Sequence, residues 1–111
     1  MSDNYTIHLY IEGSNDDLEK VTKDLDFSKQ SYDDAAWEIE GGSAILHFSS
    51  YFCPYDEVEK ASIKYPSLKI IFRFVHELIT VGLIVYENGR AKLNSSYNWD
   101  TGVANLTKYD E

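Results

Sequence analysis

The side chains of this chain that could take part in chemistry are three histidines, one cysteine and several close pairs of acids. His8 and His47 lie in two stretches of alternating apolar residues, each on the side away from the apolar set. Two imidazoles with a carboxylate such as Glu38 would suit a metal ion, but no recognised ligand spacing is present, and no metal is expected. Cys53 stands just before Pro54, where a helix N-terminus could lower a thiol pKa. A catalytic cysteine would also need a base, for which His47 and His76 are the candidates. The simpler reading is a buried, inert thiol at a strand end. Asp16/Asp17 and Asp33/Asp34 read as helix-start and loop acids. Gly41-Gly42 is a hairpin turn rather than a phosphate loop. The sequence therefore predicts no catalytic set and no cofactor.

Binding surfaces are a second possibility. His8, Tyr10, His47 and Tyr51 are expected on the outer face of the sheet, with Lys69 and Arg73 on an edge strand. Aromatics on such a face can stack bases or dock a protein. The tail, with Trp99, Leu106 and Tyr109, could instead cover them. The chain's net charge is −9. Residues 1–60 carry 14 acids and 4 lysines, a balance of −10; residues 61–111 carry 5 acids and 6 Lys/Arg, a balance of +1. Such acidity repels phosphate, so direct nucleic-acid binding is not expected, and it attracts basic surfaces.

The elements that position these residues follow from periodicity. Tyr5–Glu12 alternates as a half-buried strand, with Tyr5, Ile7, Leu9 and Ile11 on one face. Ser14 is a helix N-cap for an amphipathic helix from Asp16 to about Leu25, with Leu18, Val21 and Leu25 buried. Ala35–Glu40 and the strand after Gly41-Gly42 form a hairpin. Its register sets Glu40 opposite Ser43, Ile39 opposite Ala44, Trp37 opposite Leu46 and Ala35 opposite Phe48. Pro54 opens a second helix that buries Val58, Ala61 and Tyr65 and stops at Pro66. Leu68–Glu77 is a strand with Leu68, Ile70, Phe72 and Phe74 inward. Thr80–Glu87 and Arg90 to about Ser96 form a hairpin around Asn88-Gly89, with Glu87 opposite Arg90, Val85 opposite Lys92 and Ile84 opposite Leu93. The tail shows no period. The order is β-α-β-β-α-β plus a β-hairpin: one α+β domain over residues 1–111, a ferredoxin-like sandwich with two helices on one face of an antiparallel sheet.

Within Ser43–Glu87, the run Phe48-Ser49-Ser50, the pair Cys53-Pro54, the segment Lys64-Tyr65-Pro66-Ser67-Leu68, the strand Ile70–Glu77 and Gly82 resemble the YubB or Api92-like ferredoxin-like domain family. That resemblance implies the same fold and a phage or plasmid accessory context. It brings no activity and no functional residues with it.

A polar N-terminus without an apolar leader, and apolar runs too short to span a bilayer, point to a cytoplasmic protein with no membrane partner. A lone cysteine suits a reducing compartment. The expected function is a non-enzymatic binding protein whose acidic face docks on a basic partner protein. One form of this is an inhibitor that mimics nucleic acid. Its contact residues would be Asp16, Asp17, Glu19, Asp33, Asp34, Glu38 and Glu40. The alternative is a ligand- or nucleic-acid-binding module that uses the outer sheet face. Either a monomer or a homodimer is compatible with the sequence.

Overall fold

The alternating stretch Tyr5–Glu12 is strand β1, and it lies inside a seven-stranded sheet rather than at its margin. The computed structural model describes residues 4–32, 35–77 and 79–108. The remaining strands are β2 (Glu38–Glu40), β3 (Ser43–Ser50), β4 (Lys69–His76), β5 (Thr80–Glu87), β6 (Arg90–Asn98) and β7 (Ala104–Lys108). The helices are α1 (Asn15–Asp24) and α2 (Tyr55–Lys64). The strand order is β2-β3-β1-β4-β5-β6-β7, and every neighbouring pair is antiparallel. The fold of the described residues is α+β, an antiparallel sheet with two helices.

Alternation decides which side chains become core. Ile7, Leu9 and Ile11 of β1, Leu46 and Phe48 of β3, and Ile70, Phe72 and Phe74 of β4 share one buried face. Leu18 and Val21 of α1 and Val58 and Ala61 of α2 belong to the same cluster, so both helices cover that face. Each fully buried side chain of this size contributes about 1.5–3 kcal/mol. Ser14 caps α1 by accepting the Asp17 N–H at 3.2 Å. The helices are joined at the surface by Asp24, which accepts hydrogen bonds from Lys64 Nζ at 2.9 Å and the Tyr65 hydroxyl at 2.7 Å. Both hairpin turns adopt positive φ at their two central residues: Gly41 (55°) and Gly42 (83°), then Asn88 (55°) and Gly89 (79°). That is the turn geometry whose twist matches paired strands.

Four expectations are corrected. First, β2 is only three residues long; its pairs Glu38–Ile45, Ile39–Ala44 and Glu40–Ser43 hold, but Trp37 and Ala35 do not continue the ladder. Trp37 leaves it to donate its indole N–H to the Leu25 carbonyl at 2.9 Å, and Ile39 is exposed. Second, β4 is interior, hydrogen-bonded to β1 and β5, so Lys69 and Arg73 are not on an edge. Third, the β5–β6 register slips between Val85 and Tyr86: Val85 faces Leu93 and Ile84 faces Asn94, leaving Lys92 as the extra residue of a bulge. The Glu87–Arg90 pair stands. Fourth, the tail forms β7, so three strands rather than two follow β4.

Candidate binding face of the sheet

The side of the sheet away from the helices carries the side chains that alternate with the core. Cross-strand register aligns them in rows. One row runs His47, His8, Arg73, Leu83, Ser95 and Leu106, from β3 to β7. The neighbouring row runs Ile45, Tyr10, Ile71, Val85 and Leu93. The bulge has a consequence here. A bulge flips which side chains face which way, and this one turns Leu93, Ser95 and Tyr97 to the outer face in place of Lys92.

The described part of the tail, up to Lys108, does not lie over this face. β7 adds to the sheet edge instead, and Trp99 and Leu106 remain 62% and 64% exposed. A groove of about 540 Å³ opens on the face, with His8 and Arg73 at one end, Val81 and Leu83 between, and Tyr97 and Leu106 at the other. A second hollow of about 280 Å³ shares His8 and Arg73 and extends to Tyr10, Ile45 and Ile71.

His8, which lines both hollows, stacks on His47, which lines neither, at 5.5 Å with the ring planes 19° apart. Arg73 is the cross-strand neighbour of His8 on the other side. Burial, then the Arg73 guanidinium, then His47 hold the His8 pKa below the ordinary imidazole value. Among the described residues no carboxylate ion-pairs with Arg73. Glu38, diagonal to His47 through its pairing with Ile45, is the acid nearest in register.

The structure brings His8, His47 and Tyr10 together but separates Tyr51 from them. Tyr51 follows the far end of β3, about 20 Å along the strand from Ile45, the partner of Tyr10. It packs instead with Tyr32 and Phe52. Asp16 and Glu19 are exposed on α1, while Asp17 is partly covered and accepts a hydrogen bond from Ser67 at 2.8 Å. Glu38 and Glu40 are exposed on β2. Asp33, Asp34 and Tyr109 lie outside the described residues. The acids of the first half occupy more than one place. Glu12 and Glu40 flank Ser43 at one end of the sheet, whereas Asp56 and Glu57 begin α2 beyond Ser50 at the other.

Cys53 packs against the core cluster, and burial pushes its thiol up to about 12, away from an activated thiolate. His47 points from the opposite face, so it does not serve Cys53 as a base. Among the described residues no three His, Cys, Asp or Glu side chains converge as a metal site, and Glu38 does not complete one with His8 and His47. No helix among the described residues is long and apolar enough to cross a membrane.

Sequence reasoning set Arg73 on an edge strand and Leu106 in a possible cover of the face, and it did not single out Leu83 or Tyr97, which line the groove. A signal was present: the outward positions Val81, Leu83 and Val85 of β5 are all apolar, which exceeds what a solvated sheet face requires. Comparison with family models, curated proteins and solved structures returned no match.

Proposed function

We propose that this chain is a non-enzymatic binding module whose working surface is the uncovered face of the sheet. One observation carries the reading: His8, stacked on His47, and Arg73, which has no ion-pair partner among the described residues, sit at the head of an apolar groove of ligand size. The support is convergence of polar groups at one end of an otherwise apolar hollow, the usual design of a small-molecule site. The fold reading that accompanies it is a ferredoxin-like unit from β1 to β4, in the order β2-β3-β1-β4, widened by β5, β6 and β7. The added strands supply most of the groove. The test is a fragment screen read by backbone amide NMR. Ligand-induced shifts are expected at Arg73, Val75, Val81, Leu83, Ser95 and Leu106. Hits that perturb only the helices, or none, would overturn the reading.

A second reading is favoured by a separate contact. The Gly13 N–H donates to the Gly42 carbonyl at 3.1 Å, tying the start of α1 to the β2–β3 hairpin. The contact supports this reading by setting the start of α1, which carries Asp16 and Asp17, beside the hairpin that carries Glu38 and Glu40, where an acidic edge would suit a basic partner protein. An accessory-element inhibitor that mimics nucleic acid is the concrete version. Affinity capture at low and high salt should then recover one basic protein, and the double variant Glu38→Lys/Glu40→Lys should lose it. Unchanged capture removes this reading.

A further inference from the structure

We propose that the groove on the outer sheet face binds a small organic anion: a carboxylate head held by Arg73 and His8, with an apolar body lying across β5, β6 and β7. This rests on the binding-face reading above and adds the chemical class of its ligand.

The argument begins with charge. The chain is strongly acidic, yet the head of the groove is cationic. Arg73 is exposed and makes no ion pair to a carboxylate of the described residues. An arginine in the middle of a sheet face, with its fork of donors open, matches a carboxylate in two parallel hydrogen bonds. His8 adjoins it on β1, and His47 stacks behind His8.

The body of the ligand follows from register. Beyond Arg73 the same row continues as Leu83, Ser95 and Leu106. The span from β4 to β7 is three strand spacings, about 14 Å. Val81 and Tyr97 border that line. A ligand with one charged end and an apolar body of that length places each part against its complement. A cation would meet Arg73, and a neutral apolar molecule would leave the arginine without a partner.

The histidine gives the site a pH dependence. The charged or titratable groups facing His8 across the strands are Arg73 from β4 and His47 from β3; its diagonal neighbours there, Ile45, Ser49, Ile71 and Val75, are neither. Both facing groups disfavour a protonated His8. A bound carboxylate reverses that balance, so binding takes up a proton and tightens as pH falls.

The probe is decanoate, whose chain matches the span, titrated into the whole protein by amide NMR and calorimetry below its micelle concentration. Saturable one-to-one binding is expected, with shifts at β4 to β7. Decan-1-ol should bind at least about tenfold more weakly, and Arg73→Gln should weaken decanoate by a similar factor without moving the melting temperature. Affinity should rise several-fold from pH 8 to pH 6, and the rise should be smaller in His8→Asn. If decanol and decanoate bind alike and Arg73→Gln changes nothing while shifts still map to the face, the anion assignment fails and the binding face stands. If neither probe perturbs the face, the proposal fails together with the reading beneath it.

Discussion

Phe74 and Gly82 face each other across β4 and β5 on the helix-covered side. The ring tip of Phe74 occupies the space a side chain would need. A Cβ at position 82 would lie 2.1 Å from Cζ. Phe74 also meets Tyr55 edge-on at 5.2 Å, so it has little freedom to withdraw. Gly82→Ala is therefore expected to cost about 1–3 kcal/mol, the usual range for overpacking. Phe74→Leu frees the space, and the double variant should be more stable than the sum of the single effects by about 0.5–3 kcal/mol. Denaturant melts of the four proteins measure this, and strict additivity would show that the contact is not what excludes a side chain. Cys53 gives a second test at this scale. With its thiol pushed up to about 12 by burial, it should react with a disulfide reagent at pH 8 far more slowly in the native protein than in denaturant. A native rate equal to the unfolded one would place the thiol in a different environment from the one described.

The strands differ in what their sequences reveal, and the reason is burial. β1, β3 and β4 are packed on one face, so their inward positions alternate strictly and their spans were legible. The two hairpins were legible because Gly41-Gly42 and Asn88-Gly89 meet a backbone requirement for positive φ. The bulge was not. The slip at Val85/Tyr86 places Leu93 on the outer face, and a chain read without it assigns every later β6 residue to the wrong side. β7 was also hidden: all five of its residues are exposed, so no core imposes alternation on them. Of the candidate face, His8, His47 and Tyr10 were legible from alternation alone. The groove was not, because its far wall comes from the bulged strand and the exposed one. The same difference in burial sets the cost of substitution. Phe72→Ala, at a fully buried central position, should cost about 3–5 kcal/mol. Leu106→Ala, on the outermost strand, should stay within about 0.5 kcal/mol. Chemical denaturation separates the two, and a large loss at Leu106 would mean that β7 holds the fold rather than the groove.

At the scale of the whole molecule, titration sets the limits of stability, and the groups involved pull the same way on each side of neutrality. On the acid side, hydrogen bonds from Tyr65 and Lys64 hold the Asp24 carboxyl below its ordinary range, and the Ser28 N–H does the same for Asp26. A carboxylate depressed in the folded state stabilises above its unfolded pKa, and the contribution is lost as pH falls through the folded value. His8, also depressed, disfavours the fold once the unfolded histidine begins to protonate, near pH 6.5. These groups are largely exposed, so solvent screening keeps the acid limb shallow. On the alkaline side, burial raises Cys53 from 9.0 to about 12 and raises Tyr55 beside it. An acid whose folded pKa is raised stabilises fully below its unfolded pKa, and that contribution is lost as pH climbs from the unfolded to the folded value. Cys53 packs against the core cluster whereas Tyr55 is 43% exposed, so this limb rests mainly on the thiol. The melting temperature is expected to be flat between about pH 7 and 8.5, to decline gently below and to decline again above about pH 9. Cys53→Ala removes one of the two groups, so the drop from pH 7.5 to 10.5 should be smaller than in the parent protein, whatever the variant loses at neutral pH. An equal drop in both proteins would mean that the thiol is solvated in the folded state and that the margin of the core near α2 is open to water.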